Sequence, residues 1–117
     1  MKLIFVYNAD SGLFNQVTDA AHKIFSPETY QCALCQLTYG NFSIKKEWKE
    51  FIESLNVETT FLHKDEFSKA YPNLTIKPPA ILKEQNDEVE LMISAVQLRN
   101  LSSLDELIHQ VYEVIRK

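Results

Sequence analysis

Cys32-Ala33-Leu34-Cys35 holds both cysteines of the chain. A C-x-x-C pair can close a small disulfide, bind a soft metal or bury two thiols as small hydrophobes. Local structure decides among these. On a helix, positions i and i+3 share a face and the sulfurs approach; on a strand they point to opposite faces. Upstream, Ser26 can cap a helix, Pro27 suits its first position and Glu28 suits its positive end. That pattern predicts a helix running to about Leu37, with Cys32 and Cys35 on one side; the competing expectation is a strand over residues 30–38. A helix starting at Ser26 begins more than one turn before Cys32. The thiols therefore miss the unpaired N–H groups that acidify a C-x-x-C at a helix N-terminus.

His63 is the third candidate. It follows a β-branched and aromatic stretch, residues 57–62, that reads as a strand. Ligands collect beyond the carboxyl ends of parallel strands, and His63 stands at such an end, before Lys64-Asp65-Glu66. The plainer alternative is a loop histidine beside two acids. His22 and His109 read as surface residues.

With 117 residues, 45% apolar and 24% charged, the chain suits one globular α/β domain with a substantial core. A net charge of −4 gives no electrostatic case for nucleic acid or acidic membrane surfaces. The apolar run Leu3-Ile4-Phe5-Val6-Tyr7 is too short for a signal-peptide core, and no stretch approaches transmembrane length. These features lead to the expectation of a reducing cytoplasm, where a cysteine pair is catalytic, metal-binding or inert sooner than a structural disulfide. No cofactor is expected, and no metal ligand set is assigned.

The elements that must position these residues follow from periodicity. Residues 3–7 form a continuous apolar run, the signature of a strand covered on both faces. Asn8-Ala9-Asp10-Ser11-Gly12 breaks it, and Asp10 or Ser11 can cap a helix carrying Leu13, Val17, Ala20, Ala21 and Ile24. After a turn at Tyr39-Gly40-Asn41, Ser43 caps an amphipathic helix that buries Ile44, Trp48, Phe51, Ile52 and Leu55. A short helix over residues 65–71 is stopped by Pro72. Lys77-Pro78-Pro79 leads into a hairpin of residues 80–83 and 89–96, with Leu91 and Ile93 opposing Met92 and Ser94. Ser103-Leu104-Asp105-Glu106 is a capping box. It opens a last helix that turns Leu104, Leu107, Ile108, Val111, Val114 and Ile115 inward.

This order of elements resembles the thioredoxin fold, best from residue 57 to 117. The resemblance implies a thioredoxin-like mixed sheet flanked by helices, with Leu3-Ile4-Phe5-Val6-Tyr7 near its centre and a cis peptide bond between Pro78 and Pro79. In that family the redox cysteines follow the first strand, where this chain has Asp10-Ser11-Gly12-Leu13. The C-x-x-C here lies instead in an insertion between the first helix and Val57, so the family's activity does not carry over by position. The whole chain also resembles a small group of bacterial proteins, some labelled "GTPase". A P-loop needs G-x-x-x-x-G-K-[ST]; the two glycines, Gly12 and Gly40, precede neither Lys-Ser nor Lys-Thr.

Two functions remain open from the sequence. One is a thiol redox protein using Cys32 and Cys35, with His63 assisting and a protein or small thiol/disulfide as partner. The other is a non-catalytic binding module whose cleft is formed by Asn8, Asp10, Ser11 and the loop at Pro79, its cysteines reduced and structural.

Overall fold

The computed structural model of the protein describes residues 1–8, 33–39 and 44–116. Among them are four strands and five helices. In order these are β1 (Lys2–Tyr7), α1 (Ala33–Thr38), α2 (Lys46–Ser54), β2 (Glu58–His63) and α3 (Lys64–Ala70). Then come β3 (Ala80–Gln85), β4 (Glu88–Ile93), α4 (Ala95–Arg99) and α5 (Leu104–Arg116). The strands form one mixed sheet in the order β2-β1-β3-β4. β1 runs parallel to β2 and antiparallel to β3, and β3 is antiparallel to β4.

β1 is central and its side chains alternate between two cores. Leu3, Phe5 and Tyr7 enter the larger one with Leu34, Trp48, Phe51, Leu107 and Val111 from the helices. Ile4 and Val6 enter the smaller one with Phe67, Ala80 and Leu82. Both faces are covered, which is why the run carries no alternation of polar residues. Each fully buried side chain of this kind stabilises the fold by about 1.5–3 kcal/mol.

α5 buries Leu107, Val111 and Val114, with Leu104, Ile108 and Ile115 packed at the margin, as its periodicity predicts. Its start differs from the expected box. Ser103 Oγ accepts from the Glu106 N–H at 3.2 Å, but the Glu106 carboxylate turns to Ser102 instead, accepting from its N–H at 2.8 Å and its hydroxyl at 2.7 Å. α2 begins after Lys45, which makes no side-chain cap, and it buries Trp48 and Phe51; Ser43, the expected cap, lies outside the described residues. β2 and α3 each start or end one residue from the predicted bounds, and His63 closes β2 and precedes α3. The helix expected between Asp10 and Ile24, with His22, also falls outside the described residues.

The largest departure is in the hairpin's second half. The predicted strand 89–96 ends at Ile93, and Ser94 caps a separate helix, α4. Ser94 Oγ accepts from Gln97 N at 3.2 Å and the Gln97 side chain accepts from Ser94 N at 2.8 Å. The simple alternation of Leu91, Met92 and Ile93 fails as well. Leu82 faces Leu91 while Ile81 faces Ile93, so Met92 is an extra residue in a β-bulge. The bulge lets Met92 and Ile93 both pack on the larger core.

The hairpin turn places Asn86 at φ 56° and Asp87 at φ 64°. Positive φ at both central residues belongs to the two-residue turn whose twist matches the strands. Asn and Asp tolerate this region, whereas a β-branched residue does not. Asp87→Val is therefore expected to cost about 1–2 kcal/mol in urea unfolding and Asp87→Gly to cost nothing or stabilise slightly. The Pro78–Pro79 bond is cis, as expected. Among the described residues no helix is long and apolar enough to cross a membrane.

Candidate functional site

The register of the sheet builds a groove at the carboxyl end of β1. Val6 is opposite Ala80, the last pair of the β1–β3 ladder. The chain leaving β1 at Asn8 therefore runs beside the chain entering β3 through Pro78 and Pro79. β4 runs in the same direction as β1, so its exit into Ser94 and α4 reaches the same end of the sheet. α1 closes the remaining side. Asn8, Ala33, Gln36, Leu37, Pro78 and Pro79 all line the resulting space of about 1080 Å³, together with Thr75, Lys77, Leu91, Val96 and Arg99.

Two of the four expected cleft residues, Asn8 and Pro79, thus meet at one site. Asp10 and Ser11 lie outside the described residues. Arg99 and Val96 join the groove from α4, where the periodicity predicts a strand through residue 96 and assigns Arg99 no element. The signal was present: Ser94-x-x-Gln97 is itself a capping-box pattern.

α1 divides its side chains between groove and core. Ala33, Gln36 and Leu37 share the groove side, at the i, i+3, i+4 spacing of a helix face. Leu34, Cys35 and Thr38 are buried on the other side. Cys35 is 2% exposed, belongs to the core that holds Tyr7 and Trp48, and is disulfide-bonded. The segment is helical at Cys35, which removes the strand alternative there; Cys32 lies outside the described residues.

The core beside Cys35 carries a polar cluster of Tyr7, Thr38 and Trp48. Thr38 Oγ1 donates to the Leu34 carbonyl at 2.7 Å, so at 3.5 Å it is the acceptor for the Tyr7 hydroxyl. Burial pushes the Tyr7 phenol well above its ordinary range, and only weak contacts from Thr38 and Trp48 oppose it. Trp48 Nε1 is buried, and among the described residues its weak contact with Tyr7 falls short of a well-formed hydrogen bond. Tyr39 packs edge-on to Tyr7 at 5.9 Å, and burial raises its phenol too.

His63 sits across β1 from the groove. It is the register partner of Tyr7, with ring centroids 6.2 Å apart, and so shares the sheet face that covers Cys35. It is not a groove-lining residue. Its backbone N–H donates to Glu66 Oε1 at 2.8 Å, and its Nδ1 is 2.7 Å from the same oxygen. These bonds, the backbone one foremost, hold the Glu66 carboxyl below the usual carboxylate range. The arrangement orients the imidazole and satisfies the start of α3. Among the described residues no cluster of three or more His, Cys, Asp or Glu side chains could hold a metal ion.

Compared with known proteins, the chain matches no protein-family model, no curated protein and no solved structure.

Proposed function

We propose that the protein is a thioredoxin-like thiol–disulfide exchange protein whose active pair is Cys32 and Cys35. One juxtaposition carries this reading. The helix that buries disulfide-bonded Cys35 and the Pro78–Pro79 segment are two walls of the same groove. The strand order β2-β1-β3-β4, with β3 antiparallel to its neighbours, supports the thioredoxin-like scaffold.

Cys35 is too deeply buried to meet a partner disulfide, so the entering sulfur is assigned to Cys32, the only other cysteine. The Cys32 thiolate attacks one sulfur of the partner disulfide, forming a mixed disulfide and releasing one partner thiolate, which takes up a proton. The Cys35 thiolate then attacks the Cys32 sulfur, closing the pair and releasing the second partner thiol. Two electrons pass to the partner, and a dithiol or glutathione restores the reduced pair. With an ordinary cysteine pKa of about 8.5, only a few per cent of the attacking thiol is ionised at neutral pH. Exchange is therefore slow there and quickens in mild alkali. A reducing compartment suits such a transient pair.

The test is equilibration in glutathione buffers of graded potential, followed by acid quenching, alkylation and mass measurement. A single two-electron transition is expected. Cys32→Ser is expected to abolish exchange, and Cys35→Ser to accumulate a mixed disulfide with glutathione. Thiols that stay reduced across the whole gradient would leave the second reading, a non-catalytic binding module. That reading is favoured by the groove lining itself, which contains no sulfur among the described residues.

A further inference from the structure

Among the described residues, the groove lining carries a charge opposite to that of the chain. The whole sequence has a net charge of −4. The described residues lining the groove include two cations, Lys77 and Arg99, and no Asp or Glu. Elsewhere Lys2 pairs with Glu84, Lys46 with Glu50 and Arg116 with Glu113, while Lys45, Lys49, Lys64, Lys69 and Lys83 make no ion pair among the described residues, so it is the absence of a described acid in the groove that sets Lys77 and Arg99 apart. Lys77 and Arg99 are both exposed, and among the described residues neither makes an ion pair. Beside them, Leu91 is 41% exposed and Val96 58% exposed, two of the few large apolar side chains left in water. Both line the same groove.

We propose that this groove docks an extended segment of a partner protein in which acidic and apolar residues are interspersed. Its carboxylates meet Lys77 and Arg99, and its apolar side chains cover Leu91 and Val96. The space of about 1080 Å³ is open and lies above the usual range for compact small-molecule pockets, roughly 300–1,000 Å³. It runs from Asn8 and α1 past the Pro78–Pro79 segment to α4, a path suited to an extended chain. The proposal deepens the redox reading by naming the class of partner, and it rests on the same groove. It is separable from that reading because docking needs neither thiol.

The probes are two labelled octapeptides without cysteine, one alternating Glu with Val and one alternating Lys with Val, titrated against the full chain at low and moderate salt. The net charge of −4 by itself favours the basic peptide, so a preference for the acidic one must come from the groove. The acidic peptide is expected to bind about tenfold more tightly at low salt, as two exposed ion pairs allow, with the gap narrowing as salt rises. Lys77→Glu with Arg99→Glu is expected to invert the order. Both positions are exposed, and an unchanged thermal midpoint shows that the variant is folded. Equal binding of both peptides, tighter binding of the basic one, or an acidic preference that survives the double reversal would overturn the proposal. So would a dimer, seen by sedimentation, that the double reversal dissolves, since the occupant is then a second copy. Glutathione exchange without any peptide preference would overturn docking and leave the redox reading standing. An acidic preference in a protein whose thiols never exchange would do the reverse.

Discussion

Trp48→Ala is expected to lower the unfolding free energy by about 3–5 kcal/mol, the range for deleting a large aromatic side chain from a core. Trp48 is fully buried. Its ring meets Phe5 edge-on at 5.5 Å and tilts against Phe51 at 5.6 Å, so it ties α2 to the central strand. Total stabilities of domains this size run to about 5–15 kcal/mol, so the loss removes about a fifth of the margin or more. The buried indole N–H adds a discriminating detail. Since it has no well-formed hydrogen bond among the described residues, only a weak contact with Tyr7, the ring stabilises mainly through apolar contact and its polar atom is a cost. Trp48→Phe is accordingly expected to lose much less, about 1.5 kcal/mol or under. Urea unfolding of both variants reads the difference; a loss below about 1 kcal/mol for Trp48→Ala would refute the packing account.

The second large effect is alkaline unfolding governed by Tyr7. Burial raises its phenol above the ordinary value of 10.0. A group whose folded pKa is raised keeps its proton longer in the native state than in the unfolded chain. Its contribution is complete below about pH 10 and is lost as pH climbs toward the folded value. Tyr39 and Tyr71 shift in the same direction, again through burial first, so they leave a residual slope. Tyr7→Phe is expected to flatten the decline in stability above about pH 10 and, because its contact with Thr38 is a long 3.5 Å one, to cost about 1 kcal/mol at neutral pH. Urea midpoints of both proteins, taken at intervals into alkali, test this. Parallel declines would assign the effect to other groups.

How far the residues foretell the fold depends on what each element must satisfy. β1 is legible because burial on both faces leaves an unbroken apolar run. α5 is legible because a single buried face imposes its spacing on six residues. The exit from β4 is not. Val89, Leu91, Ile93 and Val96 suit a longer strand, and only the reciprocal hydrogen bonds of Ser94 and Gln97 divide it. Nothing in the composition of Leu91-Met92-Ile93 announces a bulge, which is a property of the pairing with β3. The site follows the same division. Asn8 and Pro79 could be brought together on paper, since a strand end and a proline before a hairpin are both local signals. Arg99 could not, because its place depends on a helix hidden by β propensity. The burial of Cys35 with Thr38 likewise depends on which side of α1 faces the sheet.

The central place of β1 sets a timetable for the nascent chain. β1 is complete at residue 7, yet both strands that flank it come much later: β2 ends at residue 63 and β3 at residue 85. At roughly 5–20 residues per second, the ribosome needs several seconds to deliver both partners. Until β2 is made, Leu3-Ile4-Phe5-Val6-Tyr7, rich in β-formers and without charge, proline or glycine, lacks both strands that flank it in the sheet, and until β3 follows one of its edges stays open. Such a segment is a template for cross-β pairing between chains. Synthesis at high concentration thus exposes this protein to aggregation through its most deeply buried strand, and chaperones that hold short apolar segments would find their target there.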